Sequence, residues 1–81
     1  MHVLPVPVID PLQTGDNITQ LRERAGITVK QLQEVFGFAT PQAIYKWQRG
    51  ATIPSIDNLI ILSDLFHITI EDILVIRRVA G

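Results

Sequence analysis

Gln42, Tyr45, Lys46 and Arg49 bring an amide, a phenol, an ammonium and a guanidinium into one short stretch, QAIYKWQR. The amide can donate and accept hydrogen bonds at once, while the two cations only donate. Side chains of these kinds suit a surface that mixes donors and acceptors and carries negative charge. They do not form a nucleophile–base pair, and they are poor metal ligands.

The same stretch holds Ala43, Ile44 and Trp47 at helical spacing. A helix here has one apolar face and one polar face. Thr40-Pro41 reads as its N-cap and first helical residue, and Gly50 as its stop, so a helix is expected over 41–49. Such a helix fits the major groove of duplex DNA, where each base pair shows a distinct donor and acceptor pattern. Gln42 suits an adenine edge. Lys46, one turn further on, can reach guanine acceptors or phosphate. Tyr45 can stack, touch a thymine methyl or bond a phosphate. These three are the base-reading candidates. Arg49 lies at the helix exit, where the DNA backbone is the natural target. Trp47 shares the side of Ile44 and is expected to be structural. Ordinary solvation is the better explanation of Lys46 or Arg49 taken alone; the whole face, following a second capped helix and a short turn, points to DNA.

That preceding helix begins at Thr28. Thr28 and Gln31 form a capping-box pattern, and Gly37 ends the helix. Leu32, Val35 and Phe36 are expected to face inward, with Phe38 and Ala39 in the turn. The free amides of the first turn offer an anion site, which makes Thr28, Lys30 and Gln31 candidates for phosphate contact. Thr40 and Thr52 join Arg49 as further backbone candidates.

Around this pair the chain supplies three more helices. Asp10-Pro11 starts one that can run to Ala25, with Gly15 as a weak point, a second possible start at Asp16 or Asn17, and Gly26 as its stop. Ile18, Leu21 and Ala25 form its stripe. Ser55 caps a fourth helix, with Ile56, Leu59, Ile60, Ser63 and Phe66 as its buried stripe and Leu62 and Leu65 widening it. Thr69 with Asp72 caps a fifth, from which Ile70, Ile73, Leu74 and Ile76 pack inward. Pro5 and Pro7 keep residues 1–10 extended, either as a disordered arm or as a strand lying on the body or on a partner, with Val6, Val8 and Ile9 apolar enough to favour packing. The reading is therefore all-α: an extended N-terminal arm (1–10), a five-helix domain (11–76) and a fraying tail (77–81).

Composition bounds the alternatives. With 81 residues, 47% of them hydrophobic, the chain makes one small domain that can fold by burial. There is no cysteine, which excludes a disulfide framework, a thiolate zinc site and a cysteine nucleophile. No run of about 20 apolar residues is present to span a bilayer, and the first residues lack a basic leader region. A cytoplasmic protein is the expectation. His2 and His67 stand apart without metal-ligand spacing, and His67 is expected to meet the last carbonyls of the fourth helix. Glu71-Asp72 suit the dipole at a helix start. An enzyme, a cofactor and a metal are not expected. Net charge is −1, more acidic than is usual for a DNA-binding domain. Its distribution is uneven: Lys30, Lys46 and Arg49 oppose only Glu34 in the middle, while Asp57, Asp64, Glu71 and Asp72 follow without a cation.

The sequence resembles the Cro/repressor (XRE-type) helix-turn-helix family. Leu21-Arg22, Gly26-Ile27-Thr28, Leu32, Gly37, Gln42 to Gly50, Pro54-Ser55, Leu59, Leu62, Leu65-Phe66 and Ile70 to Ile73 carry the resemblance. It implies a compact five-helix domain of the phage-repressor type, sequence-specific binding of double-stranded DNA, usually as a homodimer, and transcriptional repression in bacteria or their phages. The chain departs from the family in three ways. Gly37 to Gly50 is one residue longer than usual. Gln33 replaces a common Ala at the helix crossing. Val29 replaces a polar residue that grips phosphate. With the acidic charge, the last departure keeps an alternative open: an adaptor or antitoxin that uses this fold to bind a protein partner.

Overall fold

The computed structural model describes residues 5–80. The first four residues of the expected arm, with His2, and the last residue of the expected tail lie outside them. The element order is β1 (Pro5–Ile9), α1 (Pro11–Arg24), α2 (Val29–Phe36), α3 (Gln42–Gln48), α4 (Ile56–Phe66), α5 (Ile70–Ile73) and β2 (Ile76–Ala80).

Most helix starts are set by local chemistry. Asp10, Thr28, Ser55 and Thr69 accept hydrogen bonds from the amides of Gln13, Gln31, Asn58 and Asp72. Each satisfies a first-turn donor that has no helical partner. Helix α3 is the exception. Its N-cap is Pro41, with no side-chain bond, so the expected Thr40 cap is not formed. With Pro41 itself at the cap, α3 runs 42–48 rather than 41–49.

Helix ends share one device. The last amides of α1, α2, α3 and α4 fold back in the paired pattern of a Schellman turn. In α2, for instance, Phe38 N–H donates to Gln33 C=O and Gly37 N–H to Glu34 C=O, both at 3.1 Å. The residue at the bend must be left-handed. It is glycine in three cases and His67, at φ 55°, in the fourth. The expectation for His67 is thereby corrected: its backbone, rather than its imidazole, ends α4. The residues just after three of these bends, Ile27, Phe38 and Ile68, turn in and pack on the core.

That core is Ile18, Leu32, Ile44, Trp47, Leu59, Leu62, Phe66 and Ile73. The apolar spacing over-assigns burial at several positions. Val35 is 51% exposed, Ile56 68% and Ile60 54%, and Ala25 and Ile76 are also exposed. Each of α2 and α4 carries more apolar residues than its single inward stripe can bury.

The all-α expectation is only approximate. β1 and β2 pair antiparallel, Pro5 opposite Ala80 through Ile9 opposite Ile76. Ile76 belongs to this ribbon instead of the helical core, and the described tail residues form a strand. The root of the ribbon is tied to α1. Asp10 N–H donates to Val75 C=O at 2.8 Å, Val75 N–H donates to the Thr14 hydroxyl at 2.9 Å, and the Arg77 guanidinium lies 3.7 Å from the Asp10 carboxylate. Beyond that root the ribbon extends from the helices. The radius of gyration is 14.0 Å, against about 11.7 Å for a compact chain of this length.

Candidate nucleic-acid interface

Helix α3 is held from three sides. Gly15 of α1 meets it backbone to backbone: a Cβ at this position would fall 2.2 Å from Trp47 O and 2.7 Å from Gln48 O. The glycine that reads as a weak point in α1 is what lets α1 lie against the C-terminal end of α3. Just beyond, a Cβ on Gly50 would meet Leu12 Cα at 2.8 Å. Close approach fixes the position of α3 along α1 as well as its distance.

Arg22 supplies the polar link. Its Nε donates to Gln48 Oε1 at 2.9 Å and a terminal nitrogen donates to Ile27 C=O at 2.9 Å. One guanidinium thus joins α1, the α1–α2 loop and α3, with 13% of its side chain exposed. Its contact with Glu23, at 3.9 Å with the carboxylate exposed, adds little. Neither Arg22 nor Gln48 is among the expected site residues. Only the Arg22 charge next to an apolar stripe hints at it, since Gln48 is remote in sequence.

The third support is aromatic. Trp47 is buried and meets Phe36 and Phe38 edge-on at ring separations of 5.3 and 5.9 Å, while those two stack at 5.1 Å. Such pairs contribute about 0.5–1.5 kcal/mol each beyond burial. Trp47 is therefore structural, as its spacing implies. Phe38, in the α2–α3 turn, folds back onto Trp47 from the Schellman bend at Gly37. Gln33 fastens the same turn, donating from its amide to Phe38 C=O at 3.1 Å. It acts as a clasp on the turn, which accounts for a long polar side chain at this half-buried position.

With α3 so fixed, Ile44 and Trp47 point inward and Gln42, Tyr45, Lys46 and Arg49 are exposed. Among the described residues, neither Lys46 nor Arg49 has a carboxylate within ion-pair range. Thr40, freed from capping, is exposed beside them, as is Thr52 after Gly50. At the start of α2 the full capping box forms: Thr28 Oγ1 accepts from Gln31 N–H at 3.0 Å and Gln31 Oε1 accepts from Thr28 N–H at 2.8 Å. The box leaves the Gln31 NH2, the Thr28 hydroxyl proton and the Val29 and Lys30 amides able to donate outward. Val29 itself is half-buried and packs on the core, which explains an apolar residue there.

No helix of the described residues is long and apolar enough to cross a membrane, and they contain no group of three metal-ligating side chains.

Two solved structures share this fold. The crystal structure of the DNA-binding domain of BldD superposes with a TM-score of 0.67 at 18% identity, covering 80% of this chain and 93% of that one. The S. venezulae BldD DNA-binding domain gives the same score and identity, with 80% and 96% covered. None of the curated proteins matches the sequence. A family model described as helix-turn-helix matches residues 18–73, the span that holds α2, the clasped turn and α3. On that match the chain belongs to the XRE-type helix-turn-helix family.

Proposed function

We propose that this protein is a sequence-specific, double-stranded DNA-binding transcriptional regulator that acts as a repressor. The observation that carries this reading is the face of α3. Four exposed polar or cationic side chains stand on a helix whose position is fixed by a backbone crossing, a largely buried guanidinium and an aromatic cluster. Such rigidity is costly to build for a merely solvated face, whereas base readout depends on it. Membership of the helix-turn-helix family and the likeness to DNA-binding domains support the reading.

In this reading Gln42, Tyr45 and Lys46 meet base edges. Thr28, Lys30 and Gln31 grip phosphate at the start of α2, and Thr40, Arg49 and Thr52 do so around α3. A homodimer on two related half-sites is the working form. Selection of bound duplexes from a randomised library yields a preferred site, and Gln42→Ala or Lys46→Ala loses about 1–3 kcal/mol on that site. Equal binding of the wild type and both variants across the library refutes direct readout. Arg49→Ala weakens all sequences alike and lowers the salt slope.

A second reading is a protein-binding adaptor or antitoxin with weak DNA affinity. Ile56 and Ile60, one turn apart on α4, are both exposed together with the neighbouring Ile61, an apolar strip suited to a protein partner. A gel shift with mixed duplex at low salt separates the two. No shift at high micromolar protein selects the adaptor.

A further inference from the structure

The terminal ribbon has two outer edges of different chemistry. Asp10 N–H donates across to Val75 C=O, which fixes the alternation of the ladder. Counting back along β1, Val8 and Val6 turn their backbone groups toward β2, and Pro7, Pro5 and Ile9 turn outward. On β2, opposite them, Ile76, Arg78 and Ala80 turn outward. Proline has no N–H, so the outer edge of β1 lacks a donor at both Pro5 and Pro7 and is closed to pairing. The outer edge of β2 keeps every donor and acceptor, and among the described residues no third strand covers it.

We infer that this open edge of β2 is the self-association surface, where two copies pair their β2 strands antiparallel about a two-fold axis into a four-stranded sheet, β1-β2-β2′-β1′. Three features select a second copy as the occupant. A two-stranded ribbon with little support from helices is marginal in water, and two more strands relieve that. An edge open on one side only closes at two copies, because the new outer edges are both the proline-bearing β1. The strands that pair are identical, so the edge offers its own complement. Arg77 and Arg78 act against association, since each antiparallel overlap of β2 with its copy brings guanidinium groups of the two chains close together. Pairing through this edge therefore tightens as salt rises, opposite to the behaviour of DNA binding. The interface is small, so dissociation constants of about 10 μM or weaker are expected.

This deepens the dimer in the proposed function, and its test needs no DNA, so either reading can fail without the other. Sedimentation equilibrium of the full chain is expected to show a dimer whose constant tightens several-fold between about 0.05 and 0.5 M salt. Arg78→Pro removes an outward N–H while leaving the β1–β2 bonds intact. It is expected to weaken association at least ~10-fold with helical circular dichroism unchanged, whereas Arg78→Ala, which keeps the N–H and removes charge, dimerises as well as wild type or better. A wild type that stays monomeric at ~1 mM overturns the inference. Equal association of both variants, or loss in both, also overturns it. Amide exchange of the wild type gives the same answer without any variant. The Ile76, Arg78 and Ala80 amides gain protection with protein concentration while that of Ile9, on the closed edge, does not; equal behaviour on the two edges rules the pairing out.

Discussion

Where α1 crosses α3, backbone meets backbone with no side chain between them, and the guanidinium of Arg22 closes the remaining polar gap. In the β1–β2 ribbon, Val6 and Ile76 are nearly half exposed, and only the Asp10–Val75 root is fastened to a helix. The ribbon is the more apolar of the two, with six apolar residues of ten against seven of 21 in α1 and α3, yet it is the crossing that fixes a geometry and the ribbon that leaves surface on offer. Hydrophobicity alone therefore does not separate framework from interface in this chain. The close approaches do. The backbones at the crossing have no room to move, while the side chains of the ribbon can accept new neighbours at small cost.

The sharpest way to break the comparison is Gly15→Ala. In an ordinary helix interior this change gains about 1 kcal/mol. Here the added methyl meets carbonyl oxygens that cannot swing aside, so a loss of about 3 kcal/mol is expected in urea unfolding. A stabilised variant shows that the crossing is not as tight as described. The next effect runs the other way. His67 holds a left-handed bend that costs a non-glycine residue, so His67→Gly gains about 0.5–1 kcal/mol. That corresponds to a rise of roughly 5 °C in a thermal melt of a domain this small. A fall in Tm means that the His67 ring contributes more than its backbone. The smallest effect lies in the ribbon. Val6→Thr changes the unfolding of the helical body by no more than about 0.5 kcal/mol, because the residue is exposed and threonine suits a strand. A larger loss, followed by helical circular dichroism, shows the ribbon to be part of the cooperative core.

These differences also mark what could be read from the sequence. Caps and stops were legible because a Schellman turn or an Asp, Ser or Thr cap is decided within six residues. Asp10, Thr28, Ser55 and Thr69 cap as their types require, and Gly26, Gly37 and Gly50 bend as glycines can. Thr40 failed as a cap because Pro41 takes that place itself. The exposed face of α3 was legible from its alternation with Ile44 and Trp47. Its supports were not. Arg22 finds Gln48, and Gly15 finds Trp47, only after the chain has returned on itself. The ribbon was hidden for the same reason, since its strands lie at opposite ends of the chain and no turn residue joins them. The exposed Ile56 and Ile60 escaped because periodicity counts apolar positions without knowing how many one face can cover.

The root of the ribbon has a consequence for the order of events in folding. Val8 pairs with Arg77 across 69 positions of sequence (77 − 8), a separation that costs about 4 kcal/mol of chain entropy if closed from an open chain. The helices form from local contacts, on the fast side of small-domain kinetics. Once α1 and α5 dock, Asn17 donates to the carbonyls of Asp72 and Ile73, and Thr14 receives Val75. The two strands then start side by side, with the long loop already closed by the helical body. They are therefore expected to zip outward from Asp10 after the helical body forms, so that the outer edge of β2 is completed only on a molecule whose helices are in place.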